Sequence, residues 1–287
     1  MTFRTRFAPS PTGPLHLGHA YSALLAADLA TAAEGQFLLR IEDIDASRAR
    51  PEWEAQIYDD LGWLGLEWPL PALRQSDRLG SYRQALAQLW SEGLIYPCTC
   101  TRRDIAEALS APQEGVAPVF GPDGPIYPGT CRGKARPDGS MPEAAIRLDM
   151  GKAISHLGAA LSFEEQGAGP EGQAGQILLD TTTFPDQIGD IVLARRDMGT
   201  SYHLSVVVDD ASQAISHVVR GEDLFEATAI HLVLQKLLNL PTPIYHHHRL
   251  IRDAEGKRLA KRDDSRAIAL YRAEGATPEV IRQMVGL

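Results

Sequence analysis

The sequence lacks most of the features that mark specialised protein classes. It has only three cysteines in 287 residues, Cys98, Cys100 and Cys131; so small and odd a number argues against a disulfide framework. No apolar run approaches the roughly 20 residues that span a bilayer. The opening Met1-Thr2-Phe3-Arg4-Thr5-Arg6 has no apolar core of a signal peptide. Basic residues are in deficit: 28 Lys and Arg stand against 37 Asp and Glu, a net charge of −9. That argues against a protein coating nucleic acid through its overall charge, but leaves room for a local patch. No internal repeat is visible. The expectation is a cytoplasmic protein with no membrane partner. Its 44% hydrophobic and 23% charged content suits a large core, as one domain with an insert or as two domains.

Residues 2–8 alternate in the manner of a strand and are broken by Pro9-Ser10-Pro11-Thr12-Gly13-Pro14, a turn by its Pro/Gly density. Leu17, Tyr21, Leu24, Leu25 and Leu29 then recur at helical spacing. Residues 37–41 read as a buried strand with Glu42, Asp43 and Asp45 at its carboxyl end; 53–64 and 81–94 read as helices. This alternation predicts a parallel sheet covered on both faces. Residues 110–125, rich in Pro, Gly and Ala, and 164–175, rich in Gly and Gln, read as loops of an insert. Regular structure is expected again at 188–193, 205–208 and 215–219, followed by a helix at 224–238, a strand at 244–251 and a turn at Asp253-Ala254-Glu255-Gly256. Asp43, Asp45, Asp209 and Asp210 read as hydrogen-bonding groups at strand ends, not as a magnesium cage.

The segment 246–266 is the most basic of its length, with seven Lys/Arg against four acidic residues. His246, His247 and His248 fall in it, but successive residues of a strand face opposite ways, so the three are expected on a surface strand and not around one metal. Trp63 and Trp68 are expected in the core or an interface, and His156 and His217 carry no assigned role.

Two clusters carry chemistry. In His16-Leu17-Gly18-His19, a helix begins directly after a turn. Its unpaired N–H groups and dipole favour phosphate. Gly18 permits close approach to the backbone, and both imidazoles can donate to phosphate oxygens as charge builds on them. The tetrapeptide alone is shared by nucleotidyltransferases generally. The second cluster is Cys98-x-Cys100 with Cys131. Thiolates at close spacing suit tetrahedral Zn²⁺, with a fourth ligand from elsewhere.

The longer string Arg6-Phe7-Ala8-Pro9-Ser10-Pro11-Thr12-Gly13-Pro14-Leu15-His16-Leu17-Gly18-His19 resembles the opening of the glutamyl-tRNA synthetase family, a class I aminoacyl-tRNA synthetase family. The resemblance continues through Arg40-Ile41-Glu42-Asp43-Ile44-Asp45, Val207-Val208-Asp209-Asp210, Val218-Val219-Arg220-Gly221-Glu222-Asp223 and Gly256-Lys257-Arg258-Leu259-Ala260-Lys261-Arg262. It implies an α/β fold: a Rossmann-like catalytic domain with a parallel sheet, split as 1–97 and 191–245, an inserted zinc-binding subdomain at 98–190, and a KMSKS-like loop with a short helical tail at 246–287. It also implies catalysis by His16, His19 and Lys261, and ATP binding by His16, Gly18, His19, Arg258 and Lys261, with Mg²⁺ arriving on ATP. L-glutamate would be held by Arg6, Ala8, Ser10, Glu42, Tyr202 and Arg220, with Arg6 or Arg220 pairing two-pronged with a carboxylate and Glu42 accepting from the ammonium group. The chain departs from the family at Arg258 and Ala260, in place of a lysine and a serine. It also carries Val206 where full-length members often carry asparagine, which predicts fewer contacts to glutamate and a pocket that closes without tRNA.

Only 21 residues follow Arg266, whereas an anticodon-binding domain needs on the order of 100. The expectation is therefore the shortened branch of the family, the glutamyl-Q tRNA(Asp) synthetases, acting as a monomer on the queuosine base of tRNA(Asp). Cys98-Thr99-Cys100-Thr101-Arg102, Ile126-Tyr127 and Cys131-Arg132 are similar to that branch. The similarity implies one structural Zn²⁺ per chain, held by Cys98, Cys100, Tyr127 and Cys131, a water or carboxylate being the alternative fourth ligand. Two other functions remain open, charging of a tRNA 3′ end and non-catalytic RNA binding.

Overall fold

A computed structural model of the protein describes residues 2–110, 120–134, 139–158, 160–252 and 266–287. The chain starts with β1 (Arg4–Phe7), α1 (Leu17–Ala32) and β2 (Gln36–Ile41), then α2 (Pro51–Trp63), β3 (Leu73–Arg74) and α3 (Leu79–Ser91). β1, β2 and β3 pair in parallel. The connection from α1 to β2 is tight: a Cβ on Gly35 would lie 2.2 Å from the carbonyl oxygen of Phe3, so only glycine fits where the chain closes on the start of β1.

The middle of the chain contains β4 (Ile95–Cys98), α4 (Arg102–Ser110), β5 (Phe120–Gly121), β6 (Gly124–Pro125), β7 (Ala145–Leu148), α5 (Met150–Leu157), β8 (Leu161–Glu165), β9 (Gly175–Leu179), α6 (Phe184–Gln187) and β10 (Val192–Ala194). β10, β7 and β4 make an antiparallel sheet, and β5 and β6 a small hairpin. The last part is α7 (Tyr202–Ser212), β11 (His217–Gly221), α8 (Thr228–Leu237), β12 (Ile244–His248), α9 (Ile268–Ala273) and α10 (Pro278–Val285).

β11, β12 and β8 run parallel, with β9 antiparallel at the edge. Ser216 joins this sheet to the first one: Arg4 N–H donates to its Oγ at 2.7 Å, and its own N–H donates to Arg4 O at 3.0 Å. The strands therefore follow the spatial order β3-β2-β1-β11-β12-β8-β9, with the crossover between halves at β1 and β11, the usual ligand crevice of such sheets. Consecutive residues go to opposite faces. Val218 joins one large apolar cluster and Val219 the other, and Leu38 and Leu39 divide in the same way. α1, α2, α9 and α10 cover one face and α3, α5, α7 and α8 the other. No helix of the described residues is long and apolar enough to cross a membrane.

Three readings from the sequence change. Residues 205–208, with Asp209 and Asp210, lie inside α7 and not on a strand; the Ser201 hydroxyl caps this helix, and packing on the sheet overrides the strand preference of three consecutive valines. Part of the stretch expected as the loop 164–175 is strand, because β8 pairs with β12 about 80 residues away, a partner that local composition does not reveal. His247 and His248 are 1% and 8% exposed: β12 is an interior strand flanked by β11 and β8, not a surface strand.

A buried ionic network ties α7 to the first sheet. Asp210 accepts from Arg6 Nε at 2.9 Å and Arg6 Nη2 at 3.3 Å, and from Arg40 Nη1 at 2.7 Å. Arg40 Nη2 reaches Glu42 Oε1 at 3.3 Å. Burial opposes ionisation of Asp210, but Arg6 and Arg40 hold its carboxyl below the usual range. Asp209 is the neighbouring anchor, accepting from Gln75, Arg78 and Tyr82. Asp60 in α2 is the opposite case. It is fully buried, and neither carboxylate oxygen has a hydrogen-bond partner; burial, and then Asp59, push it up to about 6.

Two stability measurements follow from these carboxylates. Asp210→Asn removes the charge that two buried guanidinium groups need, and should cost about 3–5 kcal/mol in urea unfolding; a loss below 1 kcal/mol would discount the network. For Asp60 the sign is reversed. Its folded pKa lies above the unfolded one, so its relative stability is fully present below pH 4 and is lost as pH rises through about 6. Asp60→Asn should therefore stabilise the protein at pH 8 by up to roughly 3 kcal/mol and leave it unchanged at pH 4. Equal effects at both values would contradict the shift.

Candidate active site

The carboxyl ends of β1, β2, β11 and β12 and the start of α1 enclose a cavity of about 460 Å³. Its wall includes Arg6, Ala8, Ser10, His16, Gly18, His19, Glu42, Tyr202 and Arg220, nine of the positions singled out in the sequence. Parallel strands bring these residues together because each leaves the sheet at the same end. The turn after β1 is fixed by two backbone bonds: Glu42 N–H donates to Pro9 O at 3.0 Å, and Arg50 N–H donates to Pro11 O at 2.9 Å.

The two histidines cap the helix between them. His16 is the N-cap of α1, and its Nδ1 accepts from Gly18 N–H at 3.1 Å; His19 Nδ1 accepts from the His16 backbone N–H at 3.2 Å. This is a capping box built from imidazoles in place of Ser and Glu. Because both Nδ1 atoms accept, each neutral ring carries its proton on Nε2. Gly18 is needed for this arrangement as well, since a Cβ there would lie 3.0 Å from His16 Cε1.

The two arginines of the charged wall are engaged to different degrees inside the protein. Arg6 already gives Nε and Nη2 to Asp210. Arg220 gives Nε to His247 Nε2 at 3.0 Å, Nη1 to His231 Nδ1 at 3.0 Å, and Nη2 to Leu224 O and Thr228 Oγ1 at 3.1 and 2.8 Å. With two of its five N–H groups given to Asp210, Arg6 keeps an Nη1/Nη2 pair able to meet a ligand carboxylate two-pronged, whereas Arg220, with four engaged, keeps a single Nη1–H. Burial pushes the Glu42 carboxyl up, and Arg40 and Arg6 counter this only in part; a ligand cation would complete the compensation. Tyr202 opens α7 beside them, its hydroxyl likewise raised by burial. Val206 does not reach the cavity. It is 1% exposed in the core.

Arg258, Ala260 and Lys261 lie outside the described residues, as does the expected turn at 253–256. Both flanks of that segment adjoin the cavity: Ile251 lines it, and Ala267 bridges to His16 while Ile268 N–H donates to Leu15 O at 2.9 Å. Ser22, Asp223, His248 and Arg249 also line it. In the sequence, Asp223 falls within a motif and His248 within the histidine run, neither with a site role, and Ser22 and Arg249 are not singled out. Their available signal was position, one turn along α1 or directly past the ends of β11 and β12.

The cysteines meet where β4 ends. The three thiols lie within 4.8 Å of one another and are the only group of three His, Cys, Asp or Glu suited to a metal among the described residues. Cys100 and Cys131 Sγ are 3.6 Å apart, and the Tyr127 hydroxyl is 3.4 Å from Cys98 Sγ and 3.3 Å from Cys100 Sγ. Thiolates at 2.3 Å around a tetrahedral ion would be roughly 3.8 Å apart, so three sulfurs and the phenol oxygen fit four corners. No carboxylate joins them among the described residues. Burial opposes ionisation of Cys131, but hydrogen bonds from the Thr99 backbone, Tyr127, the Thr99 hydroxyl and Cys100 bring it down to about 6. Burial, then Cys100 and Cys98, raise the Tyr127 hydroxyl, so a metal would have to displace that proton. Arg132, next to Cys131, fastens the loop to Asp190 at 2.7 Å.

The family described as tRNA synthetases class I (E and Q), catalytic domain, matches residues 2–118 and 170–287. A glutamyl-Q tRNA(Asp) synthetase of Rhodobacter capsulatus is 62% identical over 285 residues, 99% of either chain. Another protein of that name, from Symbiobacterium thermophilum, is 40% identical, covering 96% of this chain and 83% of its own. A glutamate tRNA ligase from Elizabethkingia meningosepticum, solved in complex with its amino acid, superposes on the whole of this chain with a TM-score of 0.77 and 28% identity. This chain spans 61% of the length of that one.

The thiol cluster predicts that metal-free protein takes up one equivalent of Co²⁺, with thiolate-to-metal absorption bands. Cys131→Ser should weaken uptake by at least about tenfold, since loss of even an outer contact costs that much. No uptake, or undiminished uptake by the variant, would remove the site.

Proposed function

This chain belongs to the class I tRNA synthetase family of glutamate and glutamine catalytic domains, and from that premise we propose that it activates L-glutamate with ATP and transfers it to the queuosine base of tRNA(Asp). The observation that carries the activation step is the single cavity in which the helix start at His16 and His19 faces Arg6, Glu42, Tyr202 and Arg220. An α-carboxylate oxygen attacks the α-phosphorus of ATP in line, and the bond to pyrophosphate breaks. A carboxylate needs no base, so the protein's work is alignment and charge stabilisation. The Nε2–H groups of His16 and His19 donate to phosphate oxygens at the positive end of the α1 dipole. Glu42 receives the ammonium group, while Arg6 and Arg220 each supply an Nη1 donor to the side-chain carboxylate, with Ala8, Ser10 and Tyr202 fixing its orientation. Mg²⁺ entering with ATP would neutralise phosphate charge; with no carboxylate cage among the described residues, phosphates and water would hold it.

Arg258 and Lys261 lie on a segment whose two ends adjoin His16 and the cavity, which supports their reaching the leaving pyrophosphate. The thiol cluster with Tyr127 would take one structural Zn²⁺, pinning an insert with little core of its own. Full-length identity to proteins named for glutamyl-Q tRNA(Asp) synthesis supports queuosine as acceptor. Likeness to a glutamate tRNA ligase keeps the tRNA 3′ end as the second reading.

Charging of a tRNA pool with labelled glutamate and ATP separates the two. Label is expected within tRNA(Asp) and absent when that tRNA lacks queuosine; label on a 3′ adenosine would favour the second reading, and no label on any tRNA would reject both. Because Arg6, Glu42, Tyr202, Arg220 and the histidines of α1 already line one cavity, pyrophosphate exchange with glutamate is expected without tRNA, and strict dependence on tRNA would count against a preformed pocket.

A further inference from the structure

Arg220 is held by two histidines that no motif singles out, His231 in α8 and His247 in β12. Both are buried, at 2% and 1% exposure. A guanidinium group has donors only, so each ring must meet it with a lone pair. His247 must accept at Nε2, so its proton sits on Nδ1, where Glu165 Oε2 lies 2.5 Å away. Glu165 Oε1 also accepts the His247 backbone N–H at 2.8 Å, so the carboxylate and strand register fix the ring together. His231 must accept at Nδ1, so its proton sits on Nε2, 3.2 Å from His203 Nδ1. His203 must then accept there and carry its own proton on Nε2, 3.2 Å from Asp123 Oδ1. One arginine thereby dictates the tautomers of three histidines, and each chain of bonds ends on a carboxylate.

We propose that His231 and His247 are positioning residues for the amino-acid pocket. They lock Arg220 with four of its five N–H donors inside the protein and leave one Nη1–H for the substrate carboxylate. The inference rests on the glutamate reading of the cavity. A ring protonated at either contact would face Arg220 with a donor and a like charge, which would break the lock. Burial, and then Arg220, hold His231 well below its ordinary value, and burial lowers His247, in keeping with neutral rings. The chain through His203 ends on Asp123, in the turn of the β5–β6 hairpin between Cys100 and Cys131, so the hairpin braces the pocket arginine through two imidazoles.

Two independent measurements test this. Long-range ¹H–¹⁵N correlation of histidine-labelled protein at pH 7 should show His203 and His231 protonated on Nε2 and His247 on Nδ1; an imidazolium or the opposite tautomer at His231 or His247 overturns the proposal even if no variant folds. In pyrophosphate exchange, His231→Leu should raise KM for L-glutamate at least tenfold with KM for ATP changed less than twofold. His231→Asn, whose amide oxygen can stand near Nδ1, should recover to within threefold of wild type. An unchanged KM for glutamate, equal rises for both substrates, or no recovery by asparagine overturns the proposal. Wild-type protein that performs no glutamate-dependent exchange would refute the glutamate reading itself, and the tautomers would then decide the histidine lock alone.

Discussion

The site depends on one buried carboxylate. Asp210 projects from α7 into the junction between the two halves of the sheet and there accepts from Arg6 on β1 and Arg40 on β2. Two guanidinium groups at that depth would be very costly alone, and Asp210 makes them tolerable while fixing the height of α7 above the strands. Arg40 in turn orients Glu42, and α7 begins with Tyr202. Three walls of the cavity thus inherit their positions from a single ionic junction. Asp209, one residue earlier, ties the same helix to α3 and its preceding turn through Tyr82, Arg78 and Gln75, so the helix cannot slide without breaking both sets of bonds.

Recognition in the cavity follows from which donors the protein leaves to a ligand. Arg220 is largely engaged by His231, His247, Leu224 and Thr228, while Arg6 gives two of its five N–H groups to Asp210. Donors from two directions would suit a carboxylate placed between them, and the buried Glu42 would suit a cation beside it. That arrangement suits an amino acid with a second acid group and disfavours a neutral or shorter one, by leaving buried polar atoms unmatched. The histidines of α1 add a second economy: the rings that cap the helix would also carry the donors proposed for phosphate.

The insert has a different logic. Its β10-β7-β4 sheet is small, and its hairpin and cysteine loop have little apolar surface of their own. The sheet packs into the main apolar cluster through Ile95, Ile146, Leu148 and Leu193, and Asp190, with its bonds to Tyr96, Arg132 and the Met150 backbone, ties the loop beside the thiols to it. β8 and β9, which follow in sequence, return to pair with β12, so the insert is joined to the catalytic sheet by hydrogen bonds as well as by its two connections.

The sequence alone determined the alternating first third, the helix start at His16 and the closely spaced thiols, while the remaining residues of the cavity wall were named by what the family resemblance implies. Those features are local, in that a turn, a helical period or a run of motif residues specifies them within a few positions. It also marked Asp209, Asp210 and the three histidines of 246–248 as notable, but gave Asp209 and Asp210 a strand and the histidines a surface. Only tertiary structure could decide these. Whether Val207-Val208-Asp209-Asp210 forms strand or helix depends on what packs beneath it, and whether β12 is interior depends on β8 arriving from 80 residues away. The engagement of both arginines is likewise invisible in sequence, because hydrogen-bond partners such as Asp210, His231 and His247 meet Arg6 and Arg220 only once the chain has closed around them.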